Sequence, residues 1–114
     1  MKNILDKQRE CCEFYDKEFN PVNLNQLVVV SKGVLTSNSA VEGVRYKSPT
    51  HMSGWWLTTD QYDGDFNTLE NVHFSHIIHK RPDLAIYMAL PYGYRFILGT
   101  EKEYVWLDEA LSHE

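Results

Sequence analysis

The chain has 114 residues, a formal net charge of −5, 43% hydrophobic residues and 24% charged residues. That length fits one domain around one core, and that composition excludes a chain that is disordered throughout. The acidic balance, with no basic stripe, excludes a phosphate-tracking nucleic-acid binder and suits a basic or mixed-charge protein partner.

The opening segment, MKNILDKQRECCEF, has no apolar stretch of the kind a signal peptide needs. No run approaches the roughly 18 apolar residues that cross a membrane. The sequence therefore reads as a cytoplasmic protein with no membrane partner. Residues 3–19 read as an amphipathic helix, because Ile4, Gln8, Cys11 or Cys12, Tyr15 and Phe19 recur at helical spacing. Asn3 is placed to cap its start, Asp6 puts negative charge in the first turn, and Asn20 and Pro21 stop it. The two cysteines are neighbours, so they cannot staple distant segments or make the usual closed zinc site. Both are expected to be reduced thiols, at least one of them buried in the helix face.

Residues 26–31 (QLVVVS) form a β-branched run bounded by polar residues, as a central strand buried on both faces does. Lys32 and Gly33 signal a turn, and residues 36–43 read as a loop. Residues 44–47 alternate apolar and basic, as a half-buried strand does. After a second loop, residues 54–59 (GWWLTT) form a strand that must send Trp55 and Trp56 to opposite faces. Residues 60–70 are an acidic loop. Asn71 then caps a helix through Lys80 carrying Val72, Phe74, Ile77 and Ile78, and Pro82 breaks it. A second short helix, capped by Asp83, covers residues 84–90 and ends at Pro91 and Gly93. Residues 94–98 and 104–107 form a hairpin around a GTEKE turn, and a polar tail begins at Asp108. The expected fold is one α+β domain of about five mostly antiparallel strands, with an N-terminal helix and two short helices on one side and a core over residues 26–107.

Chemistry-bearing residues gather in two places. Asp60, Asp63, Asp65 and Glu70 lie in one stretch, and no Lys or Arg occurs between Lys47 and Lys80. Asp63, Asp65 and Asn67 alternate like the first ligands of a calcium loop. The sixth position from Asp63 is Thr68 rather than Gly, however, and the twelfth is Phe74 rather than Glu. Two readings remain. One is a solvated loop that caps the next element. The other is a partner surface in which Asp60, Asp63 and Asp65 supply charge and Trp56, Tyr62 and Phe66 supply apolar contact.

The second place is the ladder Glu70, His73, His76 and His79. Glu-x-x-His is half of a bundle di-metal signature, but three-residue steps drift around a helix by about 60° each. The ladder therefore cannot converge on one ion, and no metal or other cofactor is expected. No Gly-x-Ser-x-Gly elbow, phosphate-cradling glycine loop or base beside the cysteines is present in the sequence. No catalytic residue is assigned, and a binding protein is the reading that follows. A regulatory or interaction module and a small metal-dependent enzyme using His73 and His76 stand as alternatives.

Several segments, in order, resemble immunity-protein family thirty-three of bacterial polymorphic toxin systems, once catalogued only as a domain of unknown function. They are VVVSKGVL (residues 28–35), VRYK (44–47), SGW (53–55), the acidic loop, and RPDLAIYMALPYGYRF (81–96). Trp56 departs from the pattern, which often carries Arg there, and residues 3–19 lie outside the resemblance. The resemblance implies an α+β protein that binds a cognate toxin domain and blocks it by occlusion, without catalysis.

Overall fold

The computed structural model describes residues 3–36 and 39–112. Residues 37 and 38 of the expected loop, and 113 and 114 of the expected tail, lie outside the described residues. Helix α1 spans Ile4–Phe14, and the Asn3 side chain caps it by accepting a hydrogen bond from the Asp6 N–H. It ends at Phe14 rather than at residue 19. Asp16 adopts a left-handed backbone at φ 56°. The N–H of Lys17 bonds back to the Cys12 carbonyl, and that of Asp16 to the Glu13 carbonyl. This is the Schellman termination, with an acidic residue where glycine is commonest. Asn20 and Pro21 are not what stops the helix.

Among the described residues six strands follow where about five were expected: β1 (Leu27–Val30), β2 (Val41–Arg45), β3 (Met52–Thr58), β4 (Glu70–His73), β5 (Tyr94–Leu98) and β6 (Tyr104–Leu107). Their order in the sheet is β4-β1-β3-β2-β5-β6, and only β1 and β3 run parallel. The extra strand is β4, which replaces the start of the helix expected from Asn71. β1 is apolar on both faces, and its side away from β3 would leave its backbone groups unpaired. Residues 70–73 satisfy them in antiparallel register. α2 is consequently only Phe74–Lys80, burying Phe74 and Ile77.

β2 begins at Val41, inside the expected loop. Gly43 misleads there: in a strand it marks a close approach, and a Cβ at this position would collide with the Phe96 ring. Pro82 does not merely break α2. It occupies the first turn of α3 (Pro82–Ala85), where its missing N–H costs nothing, and successive turns continue to Leu90. Phe66–Thr68 form one 3-10 turn in the acidic loop, and Glu109–Ser112 form a last short helix, α4.

Helices α1, α2 and α3 lie on one side of the sheet. Val28, Val30, Trp55, Leu57 and Phe96 from the strands join Cys12, Phe74, Ile77, Leu84 and Met88 in one buried cluster. α1 docks through two polar contacts as well. Gln8 Nε2 donates to the Ala85 carbonyl at 2.8 Å, and the Cys12 thiol donates to the Ala89 carbonyl.

A buried arginine joins the sheet to the segment after α3. Arg45 is only 1% exposed. Its Nε donates to the Ser53 carbonyl at 3.0 Å, and its Nη1 donates to the carbonyls of Asn20 at 2.6 Å and Leu90 at 2.8 Å. The guanidinium stacks 4.6 Å from the Tyr92 ring centre. Burial pushes its pKa down, with Tyr92 acting in the opposite sense, to about 10; it therefore stays charged at neutral pH. The alternation of residues 44–47 placed this side chain in solvent. The structure puts it on the helix-covered face, where carbonyl dipoles rather than a carboxylate hold it.

Candidate functional site: the outer face of the sheet

Side-chain alternation leaves a second face that the helices do not complete. Residues opposed in the sheet share a face, so the strand registers define a row across all six strands: Asn71, Val29, Trp56, Val44, Arg95 and Trp106. A second row holds Thr58, Glu42, Ile97 and Tyr104. None of these side chains belongs to the helix-covered cluster, although Val29 and Val44 are themselves buried. Tyr104 is 50% exposed and Trp106 38%.

Aromatic edges meet around Trp56, near the middle of the first row. Trp56 sends its ring to the outer side while Trp55 is buried in the core, as the alternation required. Tyr46 and Phe66 both meet Trp56 edge-on, with ring centres 5.9 and 6.2 Å away. Phe66 is 71% exposed, so it extends the apolar area outward. At the β6 edge, Trp106 lies under the Arg95 guanidinium at 5.7 Å. Arg95 also donates to Glu42 and, at 3.0 Å, to Asp108. Burial works against its charge, but the bonds to Glu42 and Asp108 win and hold it above the usual arginine range.

The expected partner residues fall partly together. Trp56 and Phe66 touch, Tyr62 is half-buried, and Asp60, Asp63 and Asp65 are exposed. Asp60 lines a shallow depression of about 280 Å³ with Glu42, Thr58 and Ile97, so two carboxylates border one hollow at the edge of the outer face. Asp63 and Asp65 also have local work. Each accepts a backbone N–H two residues on, from Asp65 and from Asn67 respectively, both at 3.0 Å. These bonds are the self-capping turns that Asx residues make. The alternation that resembled calcium ligation is spent on them.

The histidine ladder is interrupted. His73 ends β4, opposite Leu27, whereas His76 and His79 lie on α2. Among the described residues, no group of three or more His, Cys, Asp or Glu side chains is placed to hold a metal ion. Burial, with the neighbouring Cys12 and Glu103 adding to it, pushes the Cys11 thiol up to about 12. Burial raises Cys12 too, and Arg45 pulls it partly back. Neither is a thiolate at neutral pH.

Arg95, Glu42, Tyr104 and Trp106 were missed as members of the site. Part of the signal was present, since Tyr94 and Phe96 alternate with Arg95 and Ile97 and the hairpin pairs that outer set with Tyr104 and Trp106; Glu42 lay in the expected loop, and only the strand order joins these residues to Trp56.

The motifs that carried the family resemblance meet elsewhere, around Arg45. Arg45 comes from VRYK, Ser53 and Gly54 from SGW, and Leu90, Tyr92 and Gly93 from the ALPYGYRF stretch. The Gly93 N–H donates to the Arg45 carbonyl, and the Tyr46 N–H to the Gly54 carbonyl, both at 2.8 Å. Gly54 sits at φ 90° where β3 bulges against β1, and a Cβ there would collide with the Tyr46 carbonyl oxygen. These residues specify a fold, and the outer face is free to specify something else.

Fold and site together define an α+β protein with one helix-covered face and one aromatic, acid-rimmed face. The sequence matches the model of the Imm33-like domain over residues 7–108, and the chain belongs to that family. The match begins inside α1, so this helix is part of the family domain and not an addition to it. No curated protein and no solved structure matches the chain. No helix among the described residues is long and apolar enough to cross a membrane.

Proposed function

We propose that this protein is a cytoplasmic immunity protein that binds a cognate toxin domain and blocks it by occlusion, without catalysis of its own. Membership of the Imm33-like family carries this reading. The outer face supports it, because tight complexes draw most of their affinity from a few desolvated aromatic and charged anchors. Trp56 and Phe66 provide paired rings on it, and Tyr62 lies in the loop after β3. Asp60, Asp63 and Asp65 provide negative charge. A toxin domain with a basic cleft would be complementary to such a surface, and charge of this kind acts mainly through the association rate.

The test is co-expression with the candidate toxin encoded beside this gene. The wild-type protein is expected to restore growth and to co-purify with the toxin. Reversing Asp63 and Asp65 to Lys is expected to slow association by about tenfold or more at low salt. Full protection by that double variant would retire the acidic loop as the binding surface. Failure of the wild type to protect, or to co-purify, would retire the toxin reading itself.

A further inference from the structure

The two edges of the sheet differ in how they meet solvent. An open edge carries unpaired backbone groups and invites another strand, and proteins usually blunt it with charge, proline or a covering element. The β4 edge is blunted: it is polar, with Glu70 and His73 exposed, and α2 begins at the next residue. The β6 edge is not. Among the described residues it pairs only with β5. Its sequence is Tyr-Val-Trp-Leu, without a charge or a proline, and Tyr104, Trp106 and Leu107 are 50%, 38% and 40% exposed.

We propose that a second copy of this chain joins the sheet through β6, antiparallel and centred on Val105. A two-fold axis perpendicular to the sheet keeps like faces together, so each residue must oppose one of its own face. Centring on Val105 places Tyr104 opposite Trp106 of the second copy on the outer face, twice over. It also places Lys102 opposite Asp108, a pair of opposite charge. Centring on Trp106 instead would lose that pair, setting Lys102 against Ala110 and Tyr104 against Asp108, while either centre sets Glu109 against another glutamate.

The helix-covered side fits the same register. Leu107 of the second copy lies opposite Glu103, which lines a depression of about 300 Å³ with Phe14, Tyr15 and Tyr87. Phe14 is among the most exposed apolar residues of the chain. Glu103 is held in place there by the Tyr15 and Tyr87 hydroxyls. The dimer would carry two outer faces on the same side of one continuous sheet. It does not depend on the toxin reading, because it is tested without a toxin.

The experiment is a disulfide trap in a Cys11→Ser background. Residues directly opposed in an antiparallel pair have Cα atoms about 4.5–5.5 Å apart, within the range of about 4.4–6.8 Å that a disulfide spans. Val105→Cys is expected to crosslink to a dimer at least about tenfold faster than Leu24→Cys, an exposed control away from β6. Sedimentation of the wild type checks the result without any change at the edge. Its mass is expected to rise from 13.3 kDa towards twice that value with concentration, and Trp106→Lys is expected to suppress the rise. A wild type that stays monomeric at millimolar concentration overturns the proposal. So does a dimer in which Val105→Cys crosslinks no faster than the control, since the copies then meet elsewhere.

Discussion

Arg45 and Arg95 occupy the same sheet, on neighbouring strands, and face opposite ways. Arg45 points to the helix-covered side and has backbone carbonyls as its acceptors. Arg95 points to the outer side, opposite Val44, and has two carboxylates. Carbonyl oxygens on three segments can be gathered around one cation only if those segments are already packed together, so Arg45 reports and reinforces the fold. Carboxylates on exposed strand and loop positions can exchange partners, so Arg95 sits in a surface able to meet another molecule. A buried charge is shielded from salt, and a half-exposed one is not.

The largest effect is expected at Arg45. Replacing it with Met keeps much of the volume but leaves the carbonyls of Ser53, Asn20 and Leu90 without this donor, at a cost of about 2–4 kcal/mol. Chemical unfolding would read this as a lower midpoint. Arg45→Lys is not expected to recover the loss, because a single ammonium cannot reproduce the planar fork or its stacking on Tyr92. A cost below about 1 kcal/mol would mean that the carbonyls find water, and that this charge does not organise the fold.

Gly54→Ala comes next. Its φ of 90° and the close Tyr46 carbonyl leave a Cβ nowhere to go without moving β2 away from β3. About 1–3 kcal/mol of destabilisation is expected from the strain and the clash together. Gly64, at φ 92° with open space around it, is the control: there only the backbone conformation should count. Equal costs at the two glycines would show that the bulge is more tolerant than its packing implies.

These two residues also mark how far the sequence could be read. Periodicity located α1, β1, β3 and the hairpin because each pattern is set by neighbours within the element. It placed the tandem tryptophans on opposite faces for the same reason. It failed where a long-range contact decided the outcome. β4 exists because β1 has an edge to satisfy, and nothing within residues 70–73 announces that. Arg45 looked like a solvent residue because the acceptors that hold it come from residues 20, 53 and 90. The candidate site was legible to the same degree. The part formed by Trp56, Phe66 and the acidic loop is local in sequence. The row that runs on through Arg95 to Trp106 needs the strand order, which no local pattern supplies.

Arg95→Met gives the smallest expected change in stability and the sharpest separation of the two faces. Exposed and half-exposed ion pairs contribute up to about 1 kcal/mol, and less in salt. The variant should therefore unfold close to wild type, and the remaining difference should shrink as ionic strength rises. It should also leave Glu42 and Asp108 without their cation, making the outer face one unit more negative. If the toxin presents a basic surface to this face, its association with Arg95→Met should be faster than with wild type at low salt, the reverse of the Asp63 and Asp65 reversal. Stopped-flow association with the purified toxin domain measures this directly. Should Arg95→Met instead cost as much stability as Arg45→Met, both faces would be structural, and the outer one would lose its claim to be a recognition surface.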